Sequence, residues 1–453
     1  MLARIQTHIL PYWQRWLLGI LILLGILGRV WQLDQPANYV FDEQYHVPAA
    51  RAVLNQDWRI FDWWQPPVST SGIFADWLHP PIFKYLQAMA IGIWGDTAWA
   101  WRLPSVLASF GVIWVSYKIA ERLGGRLAGW TAAALVAMSG LNLVQSRVGM
   151  NDMVVTFFGL LSLKVYFDRL LKPRAVSEMA NRWQWLGVGV WLGLAAATKW
   201  TGWLFVMGIA GSEVARQIWV WRQTPVRLHQ RLWAGWPWQV FCLGVMPVLI
   251  YFLSYWPGFF SGRGLNHLVE LQRAIWQYHL TRDRTHPDQS GPVAWWFNTQ
   301  PVTYWRAQVT PIHQTSQIIA VEQPGIMLLL WWGLGSWLGG LWRSWQVSRV
   351  KMFRWLTNPI GWVLAWAVGL SGAFLFSPRI QFFYHFLPSE VLGIILAALM
   401  LTRISSSWWR QWGLGLILVL IALVWLGCYP VWTGLLIPLW QVKQVYWLLP
   451  SWR

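Results

Sequence analysis

Charge is what this chain has least of. Asp, Glu, Lys and Arg make up 11% of its 453 residues, and 56% of residues are hydrophobic. A soluble protein carries about 25% charged residues, so a soluble globular fold is excluded. Cysteine is nearly absent: Cys242 and Cys428 both lie in apolar runs, which excludes a disulfide framework or a thiolate zinc site. No internal repeat, glycine-rich phosphate loop or soluble domain is visible. The first apolar run lacks a small-residue cleavage site and reads as a retained span. Acid is scarcer than base, 17 residues against 35, for a net charge of +18. The basic residues are scattered between apolar runs without a basic tail. That pattern suits loops facing anionic lipid headgroups and not nucleic acid. Tryptophan, by contrast, occurs 43 times. Interfacial belts account for part of it, and nothing in the sequence explains the rest.

What is present is a succession of long apolar runs. A span needs about 20 apolar residues, and the chain offers about eleven such runs, two of them short and joined as a hairpin that turns at residues 198–202. The expectation is an all-α polytopic membrane protein forming one domain over residues 1–453. Arg4 and Arg15 precede the first run and place the N-terminus in the cytoplasm. Basic connections follow, with Arg169, Lys172, Arg174 and Arg182, then Arg216, Arg222, Arg227 and Arg231, then Arg343, Arg349, Lys351 and Arg354. Most acids, including Asp42, Asp152, Asp283 and Glu322, fall on the far side. Two long polar segments, 34–97 and 257–322, lie on that side, and a site is expected there. Stretches near 45–56 and 80–95 read as interfacial amphipathic helices.

Five constellations sit at the outer ends of spans. FDEQYHVPAARAVL (41–54) carries the adjacent carboxylates Asp42 and Glu43. Such a pair suits a general base or a metal-binding pair, because a neighbouring carboxylate raises a pKa or shares a cation; it also fits a solvated loop start or the partner of a nearby arginine. HPPIFKYL (79–86) has two prolines that fix a helix start, with His79 before them and Lys84 on the first turn. Lys84 reads as a snorkelling residue or, with Arg102 of WRLPS, as part of an anion site. RVGMNDM (147–153) offers Arg147 and Asp152, as a structural ion pair or as groove residues. Residues 276–305 mix aromatic and polar side chains around Tyr278, His279 and His286, which suits a sugar or peptide groove; the His spacing fits no metal pattern. SPRIQFFYHFLPSE (377–390) brings Arg379, Tyr384 and His385 together near Pro378, a candidate phosphate cradle. A carboxylate plus several cations at a lipid boundary is what transfer from a lipid-linked sugar phosphate requires. A transporter, with Lys199 as its buried charge, fits less well because paired repeats are missing.

The ordered set DE, HPPxxK, WRLP, RxxMxD, KWTG, WxYHxxxxxxHPxxS and RxxFxYHxLP, from about residue 41 to 390, resembles the protein O-mannosyltransferase family of GT-C membrane glycosyltransferases. The short second loop resembles its bacterial members. The resemblance implies a polyprenyl-phosphate mannose donor and inverting transfer to Ser or Thr hydroxyls of proteins on the extracytoplasmic face of the plasma membrane. A glycolipid or cell-wall glycan acceptor is the alternative. It implies Asp42 as base with Glu43 in support, and Lys84, Arg102, Arg379 and His385 near the donor phosphate. The sequence assigns no cofactor with certainty; the lipid-phosphate sugar is a substrate, and a divalent metal is compatible with the residues but not indicated by them. The third motif departs from the usual MLD type by reading MND.

Overall fold

The structure, a computed structural model, describes residues 11–64, 76–171, 178–223, 235–281, 285–311, 313–349, 351–352 and 358–448. Arg4, Lys172, Arg174, Arg227, Arg231, Asp283 and Arg354, used in the charge reading, lie outside the described residues. The longer helices, in chain order, are α1 (Tyr12–Val30), α2 (Glu43–Leu54), α3 (Ile82–Trp94), α4 (Ala98–Gly124), α5 (Arg126–Ala137), α6 (Gly140–Ser146), α7 (Asp152–Leu170), α8 (Glu178–Ala196), α9 (Gly202–Gln223), α10 (Trp236–Leu253), α11 (Leu265–Leu280), α12 (Pro324–Val347), α13 (Pro359–Phe376), α14 (Phe383–Leu401) and α15 (Gln411–Thr433). Every expected span coincides with a helix or with the bent pair α5–α6. Among the described residues seven helices are long and apolar enough to cross a membrane, or eight with the bent pair. Helices α7, α8 and α9 do not meet that measure, so eleven spans are not established by length and composition. The chain is an integral membrane protein.

By internal contacts the chain falls into two compact units. The first comprises Met1–Phe41, Ser105–Val148 and Arg282–Arg453, and the second Asp42–Pro104 and Gly149–Thr281. In the first unit α14 is almost wholly buried, packed by α12 and α13. Two short antiparallel ribbons, Val302–Arg306 with Gln317–Ala320 and Gln314–Thr315 with Ile437–Pro438, complete this unit. In the second unit α7 packs on α8, and α8 on α10.

The apolar run over 127–145, long enough by itself for one span, is broken: α5 and α6 meet at 64°. The physical reason lies in what caps the break. The fully buried Arg29 donates to the carbonyls of Ala137 at 2.9 Å and Val136 at 3.2 Å, and to Asn142 Oδ1 at 2.8 Å. A cation thus meets the C-terminal end of α5. Opposite, Glu322 accepts the backbone N–H groups of Gly140 at 3.0 Å and Leu141 at 3.2 Å, placing an anion at the start of α6. Ser139 Oγ caps Asn142 N and lies 2.6 Å from Glu322 and 2.7 Å from Glu390. Backbone groups freed by the bend are therefore satisfied inside the protein, as an apolar environment demands. Gly25 lets α1 approach closely, since a Cβ there would lie 2.7 Å from Ala137.

Candidate active site

Helix α2 starts where the sequence places its acidic pair. Asp42 is its N-cap, and the Asp42 carbonyl accepts the N–H groups of Tyr45 and His46. The preceding Phe41 has φ of 51°, a left-handed conformation costly for an aromatic residue and concentrated at functional sites. The two carboxylates differ sharply. Asp42 is part-exposed; Glu43 is fully buried. Arg102 holds Glu43 by two bonds, Nε to Oε1 at 2.7 Å and Nη2 to Oε2 at 2.9 Å, and Gly149 N–H adds a third at 2.7 Å. Gln87 ties the same corner together by donating to the carbonyls of Trp101 at 3.0 Å and Gly149 at 3.3 Å.

The second cation of this unit is also internal. Pro81 starts α3, as the HPP pattern predicts. Lys84, on the first turn, points inward and is 1% exposed. Its Nζ lies 3.2 Å from Asp76 Oδ2 and donates to the His79 carbonyl at 2.6 Å. His46 Nδ1 meets the same carboxylate at 2.9 Å. Burial raises the Asp76 carboxyl, but Lys84 and His46 outweigh it and hold it below its ordinary value. Burial pulls the Lys84 ammonium below its ordinary value, against the opposing pull of Asp76. Thus the structure gives both Lys84 and Arg102 carboxylate partners that the sequence had not assigned.

Arg147 and Asp152 do not pair with each other. Arg147 caps the end of α1, donating to the carbonyls of Gly28, Arg29, Trp31 and Gln32 at 2.7–3.2 Å. Asp152 accepts Lys199 at 2.7 and 2.8 Å, both side chains being buried. The KWTG and MND motifs therefore meet as one ion pair, and Lys199 is a neutralised charge. The loop residues divide between the units. Tyr278 and His279, on α11 in the second unit, stand edge-on to Trp77 and tilted over Trp200, with ring centroids 6.0 and 5.1 Å apart. His286, in the first unit, sets its ring edge-on to Phe382 at 5.1 Å. There Tyr384 packs on His385 at 4.5 Å, His385 Nδ1 accepts the Phe382 N–H at 3.1 Å, and Arg379 is part-exposed.

Sequence reasoning overlooked His46, Asp76, Gln87 and Arg29. A signal existed for two of them: His46 stands one helical turn after Asp42, and Asp76 is one of few acids in the chain. Among the described residues no three His, Cys, Asp or Glu side chains assemble as a metal site.

Known proteins resemble this chain in sequence and in fold. Residues 19–261 match the family described as dolichyl-phosphate-mannose-protein mannosyltransferase. A polyprenol-phosphate-mannose–protein mannosyltransferase of Mycobacterium tuberculosis is 26% identical over 96% of this chain and 91% of its own. That of Mycolicibacterium smegmatis is 25% identical, over 96% and 92%. Among solved structures, the Saccharomyces cerevisiae protein O-mannosyltransferase Pmt1-Pmt2 complex bound to the sugar donor superposes with a TM-score of 0.76 at 11% identity, covering 97% of this chain and 93% of that one. ArnT from Cupriavidus metallidurans bound to undecaprenyl phosphate gives 0.55 at 18% identity, covering 91% and 63%. At these identities the structural likenesses show a shared fold, that of GT-C membrane glycosyltransferases. With more than half of its length matched by the family profile, the chain belongs to the dolichyl-phosphate-mannose-protein mannosyltransferase family and is a glycosyltransferase.

Proposed function

We propose that this enzyme transfers mannose from a polyprenyl-phosphate donor to Ser or Thr hydroxyls of proteins, with inversion, on the extracytoplasmic face of a bacterial plasma membrane. Asp42 is the general base. It takes the proton of the acceptor hydroxyl as that oxygen bonds to the anomeric carbon. The bond from that carbon to the phosphate oxygen breaks, and polyprenyl phosphate leaves with the electron pair. The observation that carries this assignment is the contrast within the acidic pair. A base must reach its proton, and Asp42 is part-exposed where Glu43 is buried and held by three hydrogen bonds. Glu43 fixes the start of α2 against Arg102. Arg379, as the cation, and His385, as a hydrogen-bond donor through its other ring nitrogen, are part-exposed in the first unit and are the groups we assign to the departing phosphate. Tyr278 and His279 in the second unit are candidates for contact with the acceptor, as are His286 and Tyr384 in the first.

The test is transfer of labelled mannose from polyprenyl-phosphate mannose to a Ser/Thr peptide by purified protein. Asp42→Asn is expected to lower kcat by about 10²- to 10⁴-fold, the usual worth of a positioned base, with an unchanged melting midpoint. Retained transfer sinks the base assignment. Product released only onto lipid or glycan acceptors sinks the protein acceptor.

A further inference from the structure

The HPPxxK motif contains a lysine that the proposed chemistry leaves without a task. Lys84 is 1% exposed, and its ammonium is engaged with Asp76 and the His79 carbonyl. Buried in this way it offers no face to a lipid phosphate. Asp76, itself 3% exposed, takes both Lys84 and His46 on the same oxygen, Oδ2. A carboxylate held ionised only accepts hydrogen bonds, so the His46 nitrogen facing it, Nδ1, carries the hydrogen. The ring is confined further by Phe83, edge-on at 5.6 Å, and by His79, tilted at 5.4 Å. His46 is also the residue whose backbone N–H closes the first turn of α2 on the Asp42 carbonyl, at 3.1 Å.

We propose that Lys84 is a positioning residue and not a phosphate ligand: by balancing Asp76 it lets that carboxylate hold His46, and the held His46 fixes the turn that presents Asp42. This inference rests on Asp42 as the base. It also explains the motif's spacing. The prolines start α3 so that the residue three positions after Pro81 lies on its first turn, facing the segment that carries Asp76 and His79. Three other cations of the second unit have carboxylate partners of their own: Arg102 has Glu43, Lys199 has Asp152, and Arg263 has Asp62.

The experiment compares Lys84→Met, Asp76→Asn and the double variant in the mannose-transfer assay, with detergent melting curves alongside. Displacing a reacting group by about 1 Å costs roughly 10²-fold, so Lys84→Met is expected to lower kcat by about 10- to 100-fold with donor KM near the wild-type value. Adding Asp76→Asn removes the stranded buried charge while its amide oxygen can still accept the His46 Nδ1–H, so about fivefold or more of the kcat should return. If the single variants do not fold, His46→Asn, which leaves the Asp76–Lys84 pair intact, is expected to reduce kcat about tenfold with little change in melting midpoint. A Lys84→Met enzyme with raised donor KM, wild-type kcat and no recovery in the double variant would mark Lys84 as a phosphate ligand and overturn the proposal. So would folded variants whose melting midpoints fall while kcat stays constant. Asp42→Asn in the same assay tests the base separately.

Discussion

Glu43 and Asp42 are neighbours of similar chemistry placed in opposite circumstances, and stability data should separate them. Glu43→Gln leaves the Arg102 guanidinium buried without a counter-charge. Breaking a buried pair in this way costs about 3–5 kcal/mol, because the partner's desolvation is no longer offset. Pairing Glu43→Gln with Arg102→Met should regain much of that loss, since both charges are then gone. Denaturant or thermal unfolding in detergent micelles measures both, and a Glu43→Gln protein as stable as wild type would contradict the buried clamp. The acidic pair itself was legible in the sequence, standing out against so little charge. Its partner was not, because Arg102 lies 59 positions away and a tertiary ion pair leaves no local pattern. The same holds for Asp152 and Lys199, separated by 47 positions, where the nearer Arg147 was the natural but wrong partner.

At the level of elements, helix starts were readable where chemistry marks them. Pro80 and Pro81 announce α3, and the acidic pair announces α2. The break between α5 and α6 was not readable, since only a Ser-Gly step interrupts an apolar run, and the groups that stabilise the bend come from Arg29 and Glu322, far along the chain. Ser139→Ala removes both an N-cap and the hydroxyl between two carboxyl groups. A loss of about 2 kcal/mol is expected, at the upper end for a lost cap, read as a lower melting midpoint. A second expectation concerns the clasp between α2 and α3. The Asp76 carboxyl is held below its ordinary value in the folded protein. The unfolded chain therefore binds that proton more readily. The stabilisation is complete above the ordinary Asp value of about 3.9 and is lost as pH falls through the lower folded value. Melting midpoints measured downward from pH 5 should decline more steeply for wild type than for Asp76→Asn. Parallel curves would remove Asp76 from the acid response.

For the whole molecule, apolar runs made the membrane class and helical architecture plain, because run length and scarcity of charge act locally and additively. The division into two units was hidden, since each is assembled from separated stretches of chain. Sidedness rests on a different physical signal, the bias of Lys and Arg toward cytoplasmic connections, and it can be tested without activity. The native Cys242 and Cys428 are buried, so a membrane-impermeant maleimide should leave the unmodified protein nearly unlabelled. Asn55, exposed just after α2, belongs to the segment expected outside, and Arg349, exposed just after α12, to a basic connection expected inside. Asn55→Cys should therefore label in intact cells. Arg349→Cys should label only after the membrane is permeabilised. Labelling in the reverse order would invert the orientation and move Asp42 to the cytoplasmic face, where the proposed extracytoplasmic transfer would no longer hold.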